Sequence, residues 1–356
     1  LPLDRDAIKT IAVIGFNAER KQSMGGGSSQ VRALYEITPL AGLKNHAGKV
    51  QILYAKGYDI KRGGGSDPKL INEAVSAASK ADVVVFVGGW THGYDYGVWS
   101  DNAYDAEDTD KPDMKMPFGQ DELIKALLKA NPETVIVLMG GGAIDMSQWI
   151  EDVPAVLQNW YAGMEGGNAL AKIIFGEVNP SGKLPMTFPR KLQDHGAHAL
   201  GEYPGDREKL IVNYLDDIYV GYRYYDTYKV DPLFAFGHGL SYTSFEYSNL
   251  KITPAGSKAT LSFTVKNTGR RGGAEVAQVY VSQPASALPR PEKELKGFTK
   301  IFLQPGEEKT IQLVLTEDAF RYFNDITNNW VMDGGLYHIL VGSSSKDIRL
   351  NGDVNL

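Results

Sequence analysis

Cysteine is absent from the chain, which excludes disulfide frameworks, thiolate metal sites and cysteine nucleophiles together. Basic residues are not in excess either. The 37 Lys and Arg stand against 43 Asp and Glu, a net charge of −6, whereas a duplex nucleic-acid binder shows the opposite balance on at least one face. No nucleic-acid partner is therefore expected. No uninterrupted apolar stretch approaches the roughly 18 residues of a membrane span, so no membrane partner is expected. The six histidines (His46, His92, His195, His198, His238 and His338) show no H-E-x-x-H or related spacing, and no metal is expected. A G-x-S-x-G elbow is missing too, which leaves a serine hydrolase without its nucleophile. Residue 1 is Leu rather than Met, and neither end carries a signal segment. The expectation is a chain that begins after processing or forms one part of a longer one.

What is present is enough to fold. Of 356 residues, 43% are hydrophobic and 22% charged, a composition that buries real cores, and the length suggests two or three domains. The first half alternates. Apolar, β-rich runs at Thr10–Gly15, Val50–Ala55, Asp82–Gly88, Thr134–Gly140 and Pro154–Trp160 are separated by helical patterns at Pro68–Lys80, Gly119–Ala130 and Gly166–Phe175. Runs apolar on both faces with helices between them predict a mostly parallel sheet covered on each side. Asp67-Pro68 reads as an N-cap and first-turn proline, and Asn131-Pro132 as a stop. From about Ser257 the period becomes two, in Ala259–Lys266, Glu275–Ser282, Lys309–Leu315 and Gly335–Val341, with turn signals between. That pattern predicts an antiparallel sandwich of the immunoglobulin or fibronectin type. The expected division is an α/β domain over 1–190, a connecting strap over 191–256 and a β-sandwich over 257–356. Tyr214–Tyr228 holds six tyrosines, too many for a plain flexible linker, so the strap is expected to be ordered and packed across both domains.

Three segments invite a chemical reading. Gly25-Gly26-Gly27 follows the first strand, but nine residues separate Gly15 from it and no Gly-Lys-Ser/Thr follows. The glycines fit neither the dinucleotide fingerprint nor a Walker loop, and suit a surface loop or the rim of a ligand cleft. Trp90 to Tyr104 holds five aromatics (Trp90, Tyr94, Tyr96, Trp99 and Tyr104) interleaved with Gly, Ser, Asp and Asn. Flat apolar faces beside short polar groups suit a sugar ring or a protein interface, and the loop follows a parallel strand, where open α/β sheets bind ligands. Asp105 to Asp113 then places five carboxylates in nine residues. A calcium loop is excluded because its glycine and terminal glutamate are missing. Two readings stay open: a solvated acidic loop, or a carboxyl whose neighbours raise its pKa so that it donates a proton.

Longer motifs resemble glycoside hydrolase family 3. They are Glu107-Asp-Thr-Asp110-Lys111 with Met116-Pro117, Gln120 and Glu122-Leu-Ile; Trp160-Tyr-Ala-Gly-Met-Glu-Gly-Gly; Gly176-Glu-Val-Asn-Pro-Ser-Gly-Lys-Leu-Pro; Val220-Gly-Tyr-Arg-Tyr-Tyr-Asp226; Phe234-Ala-Phe-Gly-His-Gly-Leu-Ser-Tyr242; and Leu295–Phe298. The resemblance covers nearly the whole chain. It implies an (α/β)6-type sandwich domain with a mostly parallel sheet, then a fibronectin III-like β-sandwich, from a β-glucosidase-like retaining exo-glycosidase. It also implies a partner, a catalytic barrel domain on the same gene or a separate chain, which supplies the nucleophile. The implied substrate is a β-glucoside or oligosaccharide. Glu107 matches the family's general acid/base, although Asp108 stands where Gly is common and Lys111 where Arg is common. Met24, Trp90, Tyr94, Tyr96, Trp99, Asp110 and Lys111 are the residues expected at the sugar site. Two-carboxylate hydrolysis needs only water, so no cofactor is expected. Relatives are commonly secreted or periplasmic, and self-association into a homo-oligomer is compatible with the resemblance. The competing expectation is a non-catalytic sugar-binding or assembly module that keeps the fold without the chemistry.

Overall fold

The computed structural model describes residues 1–26, 28, 31–93, 105, 111 and 113–356, and the chain divides into two compact units, Leu1–Val178 and Asn179–Leu356. In the first unit the strands are β1 (Thr10–Ile14), β2 (Gln51–Ala55), β3 (Val83–Gly89), β4 (Thr134–Met139) and β5 (Ala155–Gln158). They pair in the order β2-β1-β3-β4-β5, parallel throughout. The inner strands β3 and β4 are buried along their whole length, as continuous apolar runs require, while the edge strands are half-buried. The helices are α1 (Pro39–His46), α2 (Pro68–Ala78), α3 (Gln120–Ala130) and α4 (Gly166–Ile174). Asp67 caps α2, its carboxylate accepting from the Lys69 and Leu70 amides, and Pro68 occupies the first turn, where its missing N–H leaves nothing unsatisfied.

One sheet face carries Ile11, Val13, Val85, Val87 and Val137 into a core with Leu40 and Leu43 of α1 and Leu170 and Ile174 of α4. The two helices cross at two glycines. A Cβ on Gly42 would lie 2.0 Å from the Gly167 carbonyl oxygen, and one on Gly167 would lie 2.1 Å from that of Thr38. Only hydrogen fits there. Strand order reverses between β1 and β3, which places the switch point, where open α/β sheets take ligands, between the strands that feed the glycine loop and the aromatic loop.

The second unit begins at Asn179, twelve residues before the expected start of the strap, and ahead of its sheets carries α5 (Gly196–Ala199) and α6 (Tyr222–Thr227). A sheet of β6 (Phe245–Ala255), β7 (Lys258–Asn267) and β10 (Glu308–Leu315) and a sheet of β8 (Gly273–Ser282), β9 (Glu294–Leu303), β13 (Leu336–Gly342) and β14 (Ile348–Asn355) are antiparallel, in the orders β10-β7-β6 and β14-β13-β8-β9. A separate hairpin joins β11 (Tyr322–Asn324) to β12 (Asn329–Val331). Every second residue goes inward: Leu261, Phe263 and Val265 of β7, Ala277, Val279 and Val281 of β8, and Tyr337, Ile339 and Val341 of β13 share one core. The strap is tied to this sandwich by polar bonds. The Tyr222 hydroxyl accepts from the Leu295 amide at 2.7 Å, and its ring stacks on Phe236. Asp226, 1% exposed, pairs with Lys293 at 2.7 Å and Lys346 at 3.1 Å. The buried Gln278 amide nitrogen donates to the carbonyls of Gly237 and Ser343. Among the described residues no helix is long and apolar enough to cross a membrane.

Candidate active site

Glycines end the central strands. Gly15 (φ 130°) follows β1, and Gly89 (φ 113°) closes β3. A Cβ on Gly15 would sit 1.9 Å from the Val87 carbonyl oxygen, so the chain leaves the sheet here only by carrying no side chain. Gln120, fully buried at the start of α3, brackets the Gly89 peptide: its oxygen accepts from the Gly89 amide at 2.7 Å and its nitrogen donates to the Gly89 carbonyl at 2.8 Å. The glutamine of the sequence motif thus fixes the angle at which β3 releases the aromatic loop.

Of the residues expected at the sugar site, Trp90, Lys111 and Met24 are described. Trp90 is 1% exposed. Its indole N–H donates to the Lys115 carbonyl at 3.0 Å, and its own carbonyl accepts from Asn17 and Gln22 of the loop after β1. Trp90 therefore forms the floor between the two loops at the switch point. The Lys111 ammonium lies 4.5 Å from the centre of its ring, a cation–π geometry, and also pairs with Asp105. Met24 is half-buried, its sulfur accepting from the Val31 amide at 3.0 Å. Glu107, Tyr94, Tyr96, Trp99 and Asp110 lie outside the described residues.

Four residues that sequence reading does not single out complete the site. Asp105 opens the acidic run, yet it is only 8% exposed. One carboxylate oxygen takes Lys111, and the other accepts from the Gly141 amide at 2.8 Å and from the Tyr161 hydroxyl. With all these donors upon it, Asp105 serves as an anchor. Gly141 follows β4 and Tyr161 follows β5, so this one carboxylate gathers the exits of two strands. Burial, and then the Asp105 charge, push the Tyr161 hydroxyl well above its ordinary range, which keeps it a neutral donor. Arg20 donates to the Gly93 carbonyl. Burial, with the Arg20 charge second, holds the His92 imidazole below its ordinary value of 6.5. The signal for Tyr161 is present in Trp160-Tyr-Ala-Gly. Trp160 takes a left-handed φ of 51°, rare for a bulky residue, and turns the chain there. Nothing in the sequence marks Arg20 or His92. Beside these residues a small crevice opens at the same edge of the sheet, lined by Arg20, Gln22, Glu36, Met139 and Asn159 among others.

The fold defines an α/β domain with a five-stranded parallel sheet, followed by an antiparallel β-sandwich. Residues 1–242 match the glycosyl hydrolase family 3 C-terminal domain, and residues 275–345 match a fibronectin type III-like domain. The chain belongs to glycosyl hydrolase family 3. It is 41% identical to beta-glucosidase BoGH3A of Bacteroides ovatus over 98% of this chain and 47% of that protein. It is 40% identical to thermostable beta-glucosidase B of Acetivibrio thermocellus over 100% of this chain and 45% of that protein. The crystal structure of a Bifidobacterium adolescentis GH3 beta-glucosidase superposes with a TM-score of 0.89 at 36% identity, covering 100% of this chain and 50% of that one. The chain therefore spans about half the length of the relatives it matches, and these carry an additional N-terminal domain with no counterpart in the 356 residues.

Proposed function

We propose that this chain is the acid/base-bearing half of a retaining exo-β-glycosidase of the β-glucosidase type. Glu107 protonates the leaving oxygen and then takes a proton from the incoming water. The nucleophile comes from a barrel domain outside these residues, with the two carboxyls about 5–5.5 Å apart across the scissile bond. Met24, Trp90, Tyr94, Tyr96, Trp99, Asp110 and Lys111 form the outer sugar site of a β-glucoside or oligosaccharide.

The observation that carries this reading is the Asp105–Lys111 ion pair. It joins the two residues that flank 106–110 in sequence and fixes both to the carboxyl edge of the parallel sheet. Acid/base catalysis requires a carboxyl held to a fraction of an ångström, and an anchor two residues before Glu107 supports that role for it. The names of the relatives support the substrate class. In an enzyme containing the partner domain, Glu107→Gln is expected to lower turnover on natural glucosides by roughly 10²–10⁴-fold. Azide should restore part of the activity on aryl glucosides whose leaving groups need no proton. Unchanged turnover would remove Glu107 from the role.

A further inference from the structure

The strap contains a run that hides almost nothing, residues 210–220, near the end of the stretch that matches the family 3 C-terminal domain. Leu210, Val212, Tyr214, Leu215, Ile218 and Val220 are all exposed, Leu210 at 88% and Tyr214 at 83%. An isolated surface leucine needs no explanation, but a contiguous apolar run with a polar rim marks an interaction surface.

The run is not slack chain. Asp206 and Ile211 exchange both backbone hydrogen bonds, and the Asp206 carboxylate accepts from the Glu208 and Lys209 amides at 3.1 and 3.0 Å. Further on, the Glu202 carboxylate, 4% exposed, accepts from the Asp216 amide, and the Tyr219 ring meets Tyr228 edge-on at 5.5 Å. The backbone is thus fixed at both ends of the run while the side chains between reach outward. Such an arrangement loses conformational entropy and gains no burial until something covers it.

We infer that residues 210–220 are the seat of the additional N-terminal domain that full-length relatives carry. The relatives are about twice the length of this chain, so the missing part is large enough to cover the run. Because the run is apolar and carries Asp216 and Asp217, the face that covers it should be apolar with a basic group opposite those carboxylates. The inference rests on the proposed reading that such a domain joins this chain, and it adds the surface on which it docks.

The test compares hydroxyl-radical labelling of the isolated chain with that of a fusion in which this chain replaces the matching half of beta-glucosidase BoGH3A. Leu210 and Tyr214 should label strongly in the isolated chain and about five-fold less or lower in the fusion. Equal labelling in a fusion that hydrolyses an aryl β-glucoside overturns the docking surface and leaves the functional reading intact. Reduced labelling without hydrolysis does the reverse. Protection already present in the isolated chain, with sedimentation at the mass of a dimer, makes a second copy the occupant and overturns the inference. The double substitution Leu210→Ser with Tyr214→Ser provides a check that needs no fusion. It should leave the melting temperature of the isolated chain unchanged, and a marked fall would show the run to be internal packing and sink the proposal.

Discussion

Asp105 opens the acidic run that draws attention in the sequence, and its own surroundings are fixed. Its substitution by Asn keeps the shape but weakens the grip on Lys111, the Tyr161 hydroxyl and the Gly141 amide. Because the Lys111 side chain is one-third exposed, water compensates part of the loss, and about 2 kcal/mol of destabilisation is expected. Urea unfolding of the Asp105→Asn variant checks this, and a change below a few tenths of a kcal/mol would mean that the anchor is idle. His92 gives a pH signature. Its folded pKa lies below the unfolded value of 6.5, so the unfolded chain takes up the proton first. The stabilisation is full above pH 6.5 and is lost as pH falls from there through the folded value. Between about pH 7.5 and 5.5 the urea midpoint should fall, and His92→Gln should make that fall shallower. His195 and His238, also held low by burial, act in the same direction in the second unit.

Among the elements, the crossing of α1 and α4 explains why two glycines stand inside helices. Alanine favours an exposed helix interior by about 1 kcal/mol over glycine. At Gly167 the added Cβ would meet the Thr38 carbonyl at 2.1 Å, and overpacking of this kind costs roughly 1–3 kcal/mol. The clash wins, so Gly167→Ala should lower stability by about 1–2 kcal/mol in urea titration, where propensity alone predicts a gain. The same residue shows why α1 escapes sequence reading: Gly42 and Asn45 weaken its helical pattern, and its reason for bending to them lies in α4. The central strands and α2, α3 and α4 are legible because burial on both faces writes an unbroken apolar run, Asp67 caps the start of α2, and Asn131-Pro132 stops α3. β6 is not, since Asn249, at φ 58°, and a register shift between Ser248 and Lys251 break its alternation. β9 hides for another reason, its outward Phe298 and Phe302 standing among lysines without a core to set their phase. Composition and motif draw attention to Trp90 and Lys111, but not to the contact between them. The Asp105–Tyr161 contact is not legible either, because it joins residues 56 apart whose meeting depends on sheet order.

For the molecule as a whole, the strap belongs with the sandwich. Without residues 179–256, Lys293 loses its buried partner Asp226 and Gln278 loses the Gly237 carbonyl. A fragment of residues 179–356 is expected to unfold in one cooperative transition, whereas residues 257–356 alone should melt about 10 °C lower or more. Differential scanning calorimetry of the two fragments decides it. Equal melting temperatures would mean that the strap only rests on the sandwich.

The ion pair of Asp226 with Lys293 also bears on how such genes recombine. The family match to the fibronectin-like domain covers residues 275–345, but Asp226 lies well upstream of it. A recombination that exchanged only the matched segment would bring in a foreign residue at position 293 and leave the buried Asp226 with Lys346 alone of its two cations. Exchange of the whole stretch from residue 179 keeps both charges together. Inheritance of this domain should therefore follow the compact unit, with the strap travelling alongside the sandwich it was selected to fit.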